Sequence, residues 1–302
     1  MESSKRIVST KTVGKKRIND QKWSYPFLLP AVLAVCAIVV IPFVIGIYYS
    51  FTKWDGISVS TFVGLENFKR ILSDKEFMHS LWFTIKFSVV TVALINLVGL
   101  GLALIVTKGF RGSTILRTVF FMPNLIGGLI LGFIWQFVFV KAFSAIGTAV
   151  GIEALNGWLS TPTTGFWGMV LMVVWQYAGY IMVIYVAFLQ GVDESLLEAA
   201  SLDGASEWQQ MLQIKLPMIR PAFTISLFMS LSFCFKIYDQ NLALTSGGPF
   251  KSTTMVAMDI VNTAFSQREM GLAQAKGMVF FLILTIISVT QVFLSSRKEV
   301  EV

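Results

Sequence analysis

The most constraining feature of this chain is a set of long apolar runs. Crossing the hydrocarbon core of a bilayer takes about 20 consecutive, mostly apolar residues. Six stretches reach or approach that length, at residues 27–51, 81–106, 119–140, 166–190, 222–238 and 277–294. The fifth is the weakest, because Lys236 and Asp239 interrupt it, and a re-entrant segment is an alternative there. Backbone groups in lipid must be satisfied within their own segment, so runs of this kind are helical. Of the 302 residues, 55% are hydrophobic and 14% charged, too little polar surface to cover a water-soluble globule. The expected fold is all-α: a polytopic integral membrane protein with six transmembrane helices. The first run is longer than the apolar part of a signal peptide and has no A-x-A cleavage site, so it reads as a retained helix.

Charge sets the expected orientation. Seven basic residues, from Lys5 to Lys22, precede the first run. With the N-terminus inside, inner segments hold fourteen Lys and Arg and the longer outer ones nine, with Lys86 left inside the second run. That bias places both termini in the cytoplasm. The net charge of +7 therefore reads as topology and not as a nucleic-acid surface, since no basic stripe continues into a folded module. Cys36 and Cys234 lie in apolar runs and His79 stands alone, so neither a disulfide framework nor a metal site is expected. Five parts follow: a basic tail (1–26), a first helix (27–51), an outer loop (52–80), a helical core (81–295) and a C-terminal tail (296–302). In the outer loop, Leu65, Phe68, Ile71 and Leu72 fall at helical spacing and predict an amphipathic helix at the outer interface. Residues 253–265, with Val256, Ile260 and Ala264 on one face, predict a second.

The inner segment 191–221 does not read as a plain connector. It carries Asp193, Glu194, Glu198, Asp203 and Glu207 against two bases. Asp193 is placed to cap one helix and Asp203 a second; Gly204 separates them, Pro217 stops the second, and Pro221 opens the next span. Glu198-Ala199-Ala200, three residues, Gly204, nine residues, then Ile214-x-Leu216-Pro217 resembles the EAA motif in permease subunits of binding-protein-dependent ABC importers. The likeness extends over most of the chain, through the six runs, residues 62–68 and the Leu244-Thr245-Ser246-Gly247-Gly248-Pro249 stretch. These look like the carbohydrate branch, similar to maltose-type and glycerol-phosphate-type importers. Met211, where a phenylalanine is frequent, is a small departure.

The resemblance implies a type I importer permease core with a peripheral first helix. It implies a coupling helix formed by Glu198, Ala199, Ala200, Asp203 and Gly204, backed by Leu216 and Pro217. The implied partners are two ATP-binding-cassette subunits, a second permease, expected to be a paralogue, and an extracytoplasmic substrate-binding protein facing Gly247, Gly248 and Pro249. The setting is a bacterial or archaeal cytoplasmic membrane. ATP and magnesium would belong to the partner ATPase, because this chain has no GxxxxGK[ST] loop and no evident enzyme site. Polar and aromatic residues in and beside the spans are candidates for a solute path: Asn124, Trp135, Gln136, Trp175, Gln176, Tyr180, Tyr238 and Asp239. Interfacial aromatic belts and interhelical hydrogen bonds are the competing explanation for these residue types. Four functional readings stay open, the first three being the carbohydrate importer, an importer of another polar solute such as glycerol phosphate, and a secondary carrier. A scaffold or receptor without transport is the fourth.

Overall fold

The computed structural model describes residues 20–58 and 61–296, with side chains from Leu28 onward. The basic tail through Asn19 and the C-terminal tail from Arg297 lie outside the described residues. Residues up to Tyr48 form one unit and those from Tyr49 a second. The described residues of the first lie in one helix, α1, running Asp20–Val35, through a π-helical turn Cys36–Val40, into Ile41–Ser50, whose last two residues fall in the second.

The second unit opens with a two-stranded hairpin, β1 (Thr52–Lys53) against β2 (Thr61–Phe62), antiparallel with Thr52 opposite Phe62. Helix α2 (Glu66–Ser73) follows. Its Asn67 carboxamide is buried and donates to the carbonyls of Ser50 (3.0 Å) and Thr52 (2.9 Å). That tether turns Ile71 inward onto Phe77, Val256 and Leu272, while Leu65 and Leu72 stay exposed. The amphipathic helix is therefore present, but part of its apolar face is committed to the protein and not to an interface.

Helix α3 (Lys75–Val106) starts where Asp74 caps it, its Oδ1 accepting from the amides of Glu76 and Phe77 at 3.0 Å. Helix α4 (Ser113–Phe121) runs into a 3-10 turn, Met122–Leu125. The third span, α5, is Gly128–Val150, displaced toward the C-terminus from the expected 119–140. The cause is local. Pro123 has no N–H to continue α4, and Ile126 is extended before the helix restarts at Gly128. It then continues through a π turn holding the exposed Lys141 and ends at Gly151, whose φ is +73°. Helix α6 (Pro162–Gln190) begins with a capping box between Thr161 and Thr164 and with proline in its first turn.

Next come α7 (Glu194–Leu202), α8 (Glu207–Met218), α9 (Arg220–Phe235), α10 (Asp239–Leu244), α11 (Val256–Val261, continued by a π turn Asn262–Ser266) and α12 (Met270–Ser296). Among the described residues, five helices are long and apolar enough to cross a membrane. Helices α8 and α9 make a sixth only as a pair bent by 64°. Pro217 does not stop α8. A π turn, Met211–Lys215, precedes it, helix continues to Met218, and the bend falls at Ile219.

The core lies between α3 and α6, with α9 packed on both. Phe166 meets Phe83 and Phe87 edge-on at 6.0 and 6.2 Å. Lys86 is exposed, with its ammonium 5.0 Å from the centre of the Phe166 ring. Gly179 on α6 admits the backbone of α4: a Cβ there would stand 1.8 Å from the Phe120 carbonyl oxygen. Deeper in, Tyr185 donates to Asn96 Oδ1 (2.9 Å) and accepts from Ser226 (2.8 Å), and Asn96 donates to Ser230 (3.0 Å). This closed network joins α3, α6 and α9.

Candidate functional site

Helices α7 and α8 stand apart from the core. No residue of α7 is buried, and Leu202 and Trp208 are 90% and 69% exposed. Isolated helices this short are marginal in water, so their ends must be held. Asp193 caps α7 by accepting from the Ser195 amide at 2.9 Å. The same amide, with the Ser195 hydroxyl, holds the Asp193 carboxyl below the usual range. At the other end, Ala205 N donates to Ala200 O (2.9 Å) and Gly204 N to Ser201 O (3.1 Å), with Gly204 at φ +84°. This double closure needs a left-handed residue at 204, a conformation glycine adopts without strain. Asp203 does not cap α8. Ser206 does, exchanging bonds with Gln209 in a capping box, because Gly204 and Ala205 are used to finish α7.

Glu198, Ala199, Asp203 and Gly204 are all exposed, Ala200 is half-buried, and Leu216 and Pro217 are half-buried at the foot of α8. A cavity of about 930 Å³ separates α7 from the ends of α3 and α6, with Lys108, Lys215, Glu194 and Glu207 in its walls. The segment thus presents a short acidic helix with open space behind it.

A second group forms where α5, α6 and α10 meet. Trp135 and Trp175 pack edge-to-face at 5.6 Å, and Trp175 keeps 44% of its surface exposed. Gln176 is buried midway along α6, donates to Ile126 O (3.2 Å) and accepts from Gln240 Nε2 (3.1 Å). Gln136 donates to Leu244 O at 3.3 Å. Tyr180 lies in a separate aromatic cluster with Phe121 and Phe233. Asn124 sits half-buried in the 3-10 turn, and Tyr238 and Asp239 begin α10; no hydrogen bond joins their side chains to the glutamine pair. Gln240 was not singled out from the sequence, although its neighbours were. Its only signal was an amide within a polar stretch.

The fold and the geometry of the 191–221 segment can be set beside known proteins. Residues 95–300 match the family model described as the binding-protein-dependent transport system inner membrane component. The chain belongs to that family. It is 50% identical over 279 residues, 92% of its length and 96% of the relative's, to the probable starch degradation products transport system permease protein of Thermoanaerobacterium thermosulfurigenes. It is 31% identical over 94% of its length, and 99% of the relative's, to a multiple sugar-binding transport system permease protein of Streptococcus mutans. Its fold is shared with a chain in a crystal structure of a bacterial ABC transporter involved in the import of the acidic polysaccharide alginate. The TM-score is 0.79 at 19% identity, covering 92% of this chain and 96% of the other.

The permease is accordingly a multi-pass membrane protein. It also carries a buried charge cluster that the sequence did not announce, since Lys276 reads there as one more outer-loop base. Lys276, 2% exposed, lies 2.8 Å from Asp259 and 2.8 Å from Asp74, and donates to Thr263 at 2.9 Å. Burial pushes the Asp259 carboxyl up, and the Lys276 hydrogen bond and charge only partly offset it. Burial acts on Asp74 too, but there the Lys276 bond and the amides of Phe77 and Glu76 outweigh it and hold the carboxyl down. The cluster pins the start of α3 to α11 and α12.

The Gly247-Gly248-Pro249 turn is only partly accessible. Gly247 is buried with φ +80°, the Gly248–Pro249 peptide is cis, and Thr253 donates to Gly248 O at 2.7 Å. The accessible part of the turn is the next pair: Phe250, 98% exposed, and Lys251, which reaches Glu76 at 2.7 Å.

Proposed function

We propose that this permease is the translocation subunit of an ATP-driven carbohydrate importer, taking up mono- to oligosaccharides. The observation that carries the reading is the 50% identity, across nearly the whole chain, to a permease named for starch degradation products. Helix α7 is the coupling element. Glu198 makes the polar contact to a groove on an ATP-binding-cassette subunit, and Gly204 lets the chain turn back at once into α8. ATP and magnesium are held by two such subunits and not by this chain. Acidic rim charges steer pairing with a basic cleft. The capped, closed ends of α7 let it move as one rigid lever.

A second permease, a paralogue, completes the pathway, and an extracytoplasmic binding protein delivers the solute to the outer face near Gly247–Pro249. Both termini are cytoplasmic, in the cytoplasmic membrane of the cell. The Trp135–Trp175 pair and the Gln176–Gln240 pair line the passage, the rings meeting sugar C–H faces and the amides meeting hydroxyls.

Affinity purification of the tagged protein from gently solubilised membranes, with mass spectrometry of its companions, tests this. The expected companions are a GxxxxGK[ST]-bearing ATPase and a second permease, with the ATPase lost when Glu198 and Gly204 are both replaced. Recovery of this chain alone from a preparation active in transport would refute the coupling role.

A further inference from the structure

A cleft of about 460 Å³ lies beneath the Gly247–Pro249 turn, between the start of α3, the 246–254 turn and α11. Small-molecule sites span about 300–1,000 Å³ and combine an apolar or aromatic wall with a few fixed polar groups. Phe250, Ser252, Thr254, Asp259, Asn262 and Gln267 supply that combination here.

Four features set the cleft apart from an ordinary surface hollow. Phe250 is 98% exposed with φ +51°, and Lys251 follows at φ +61°. A bulky residue in the left-handed region is strained, and backbone strain of this kind gathers at functional sites. The turn is nevertheless fixed, by the Lys251–Glu76 ion pair across the cleft and by Thr253 bonded to Gly248 O and to Thr245. The Ser252 hydroxyl is buried and has no hydrogen-bond partner. A buried polar atom without a partner calls for one. Finally, Asn262 and Gln267 are exposed, their side-chain amides uncommitted to any group among the described residues and open to a ligand, and Asp259 gives only Oδ2 to Lys276, leaving Oδ1.

The charges facing the cleft are largely consumed in pairs, Glu76 with Lys251 and Asp259 with Lys276; Lys75 and His79 remain on its rim. What is left to bind with is an aromatic face, two amides, hydroxyls and one carboxylate oxygen. That set matches a neutral, hydroxyl-rich ring.

We propose that this cleft is an outer saccharide subsite, which receives one end of a di- to tetrasaccharide as it leaves the binding protein and before it reaches the Trp135–Trp175 region. Phe250 is the ring platform, and Asn262, Gln267 and Asp259 Oδ1 take the hydroxyls. The inference rests on the carbohydrate reading above.

The test uses the complete transporter in nanodiscs and a panel of α-linked di- to tetrasaccharides. ATP-dependent uptake with binding protein is measured first, then saturation-transfer NMR of a transported sugar without binding protein. Expected are NMR contacts in the wild-type complex that vanish in Asn262→Ala/Gln267→Ala. Phe250→Ala should raise the half-saturating sugar concentration for uptake by about tenfold or more, with the amount of assembled complex unchanged. Contacts that persist in the double variant, or none in a wild-type complex that transports the sugar, overturn the subsite. Absence of ATP-dependent uptake of every panel sugar overturns the carbohydrate reading instead.

Discussion

Replacing Lys276 by methionine isolates the energetics of the buried cluster. Lys276 is 2% exposed and Asp259 is 6% exposed, so the substitution leaves the Asp259 carboxylate without its cation and largely buried, with only its Oδ1 side reaching the outer cleft. Removing one partner of a buried pair costs about 3–5 kcal/mol. The carboxyl can escape by taking a proton, which sets a ceiling. Its ordinary value is 3.8, so protonation at pH 7 costs roughly three units at about 1.4 kcal/mol each, or ~4 kcal/mol. At pH 5 the ceiling falls to ~1.5 kcal/mol. The sign is fixed by linkage: the folded variant binds a proton the unfolded chain does not, so its stability rises as pH falls from 7 toward 4 and is lost as pH rises through the folded value. Asp74 is a quarter exposed and can rehydrate, so it adds little. At about 2–4 °C per kcal/mol, the unfolding temperature of the purified protein, followed by intrinsic fluorescence, should drop by about 8–15 °C at pH 7 and by about 3–6 °C at pH 5. Adding Asp259→Asn should recover more than half of the loss. A deficit independent of pH, or no recovery in the double variant, would show that the lysine stem's packing, and not the stranded charge, governs the site.

Gly179→Val should fail to give monodisperse protein on size exclusion, at a cost of about 3 kcal/mol or more, because its Cβ would meet Phe120 backbone atoms at 1.8 and 2.4 Å. Gly204→Val has free space around it and should cost only about 1–2 kcal/mol of backbone strain. Membrane insertion and expression should survive while uptake is abolished, and normal uptake would count against coupling through α7. Tyr185→Phe strands Asn96 Oδ1, while the Ser226 hydroxyl keeps the Phe223 carbonyl, and should cost about 1–3 kcal/mol, read as a lower unfolding temperature.

Much of the candidate site was legible in the order of residues because its geometry is local. Asp193 caps α7 through the amide two residues on, and Gly204 closes it within one turn. Both signals act over a few residues, so spacing alone carries them. The assignment of the second cap to Asp203 failed for an equally local reason. Two residues are needed to finish α7, which shifts the start of α8 to Ser206. The third span was misplaced because a hydropathy window cannot weigh a proline. Phe120 to Leu125 is apolar around Pro123, yet the missing N–H and the extended Ile126 put the restart at Gly128.

What the sequence determined by itself is the membrane-spanning class, the existence of most of the helical spans and the capped inner helix, since hydrophobicity and end-capping are summed over neighbours in the chain. What only the tertiary structure decided is which polar groups meet. Gln176 finds Gln240 across 64 residues, Tyr185 finds Asn96 across 89, and Lys276 reaches Asp259 on one side and Asp74, far back in the chain, on the other. A buried polar group must be partnered wherever the partner lies, and close helix packing sets that distance in space without regard to distance along the chain.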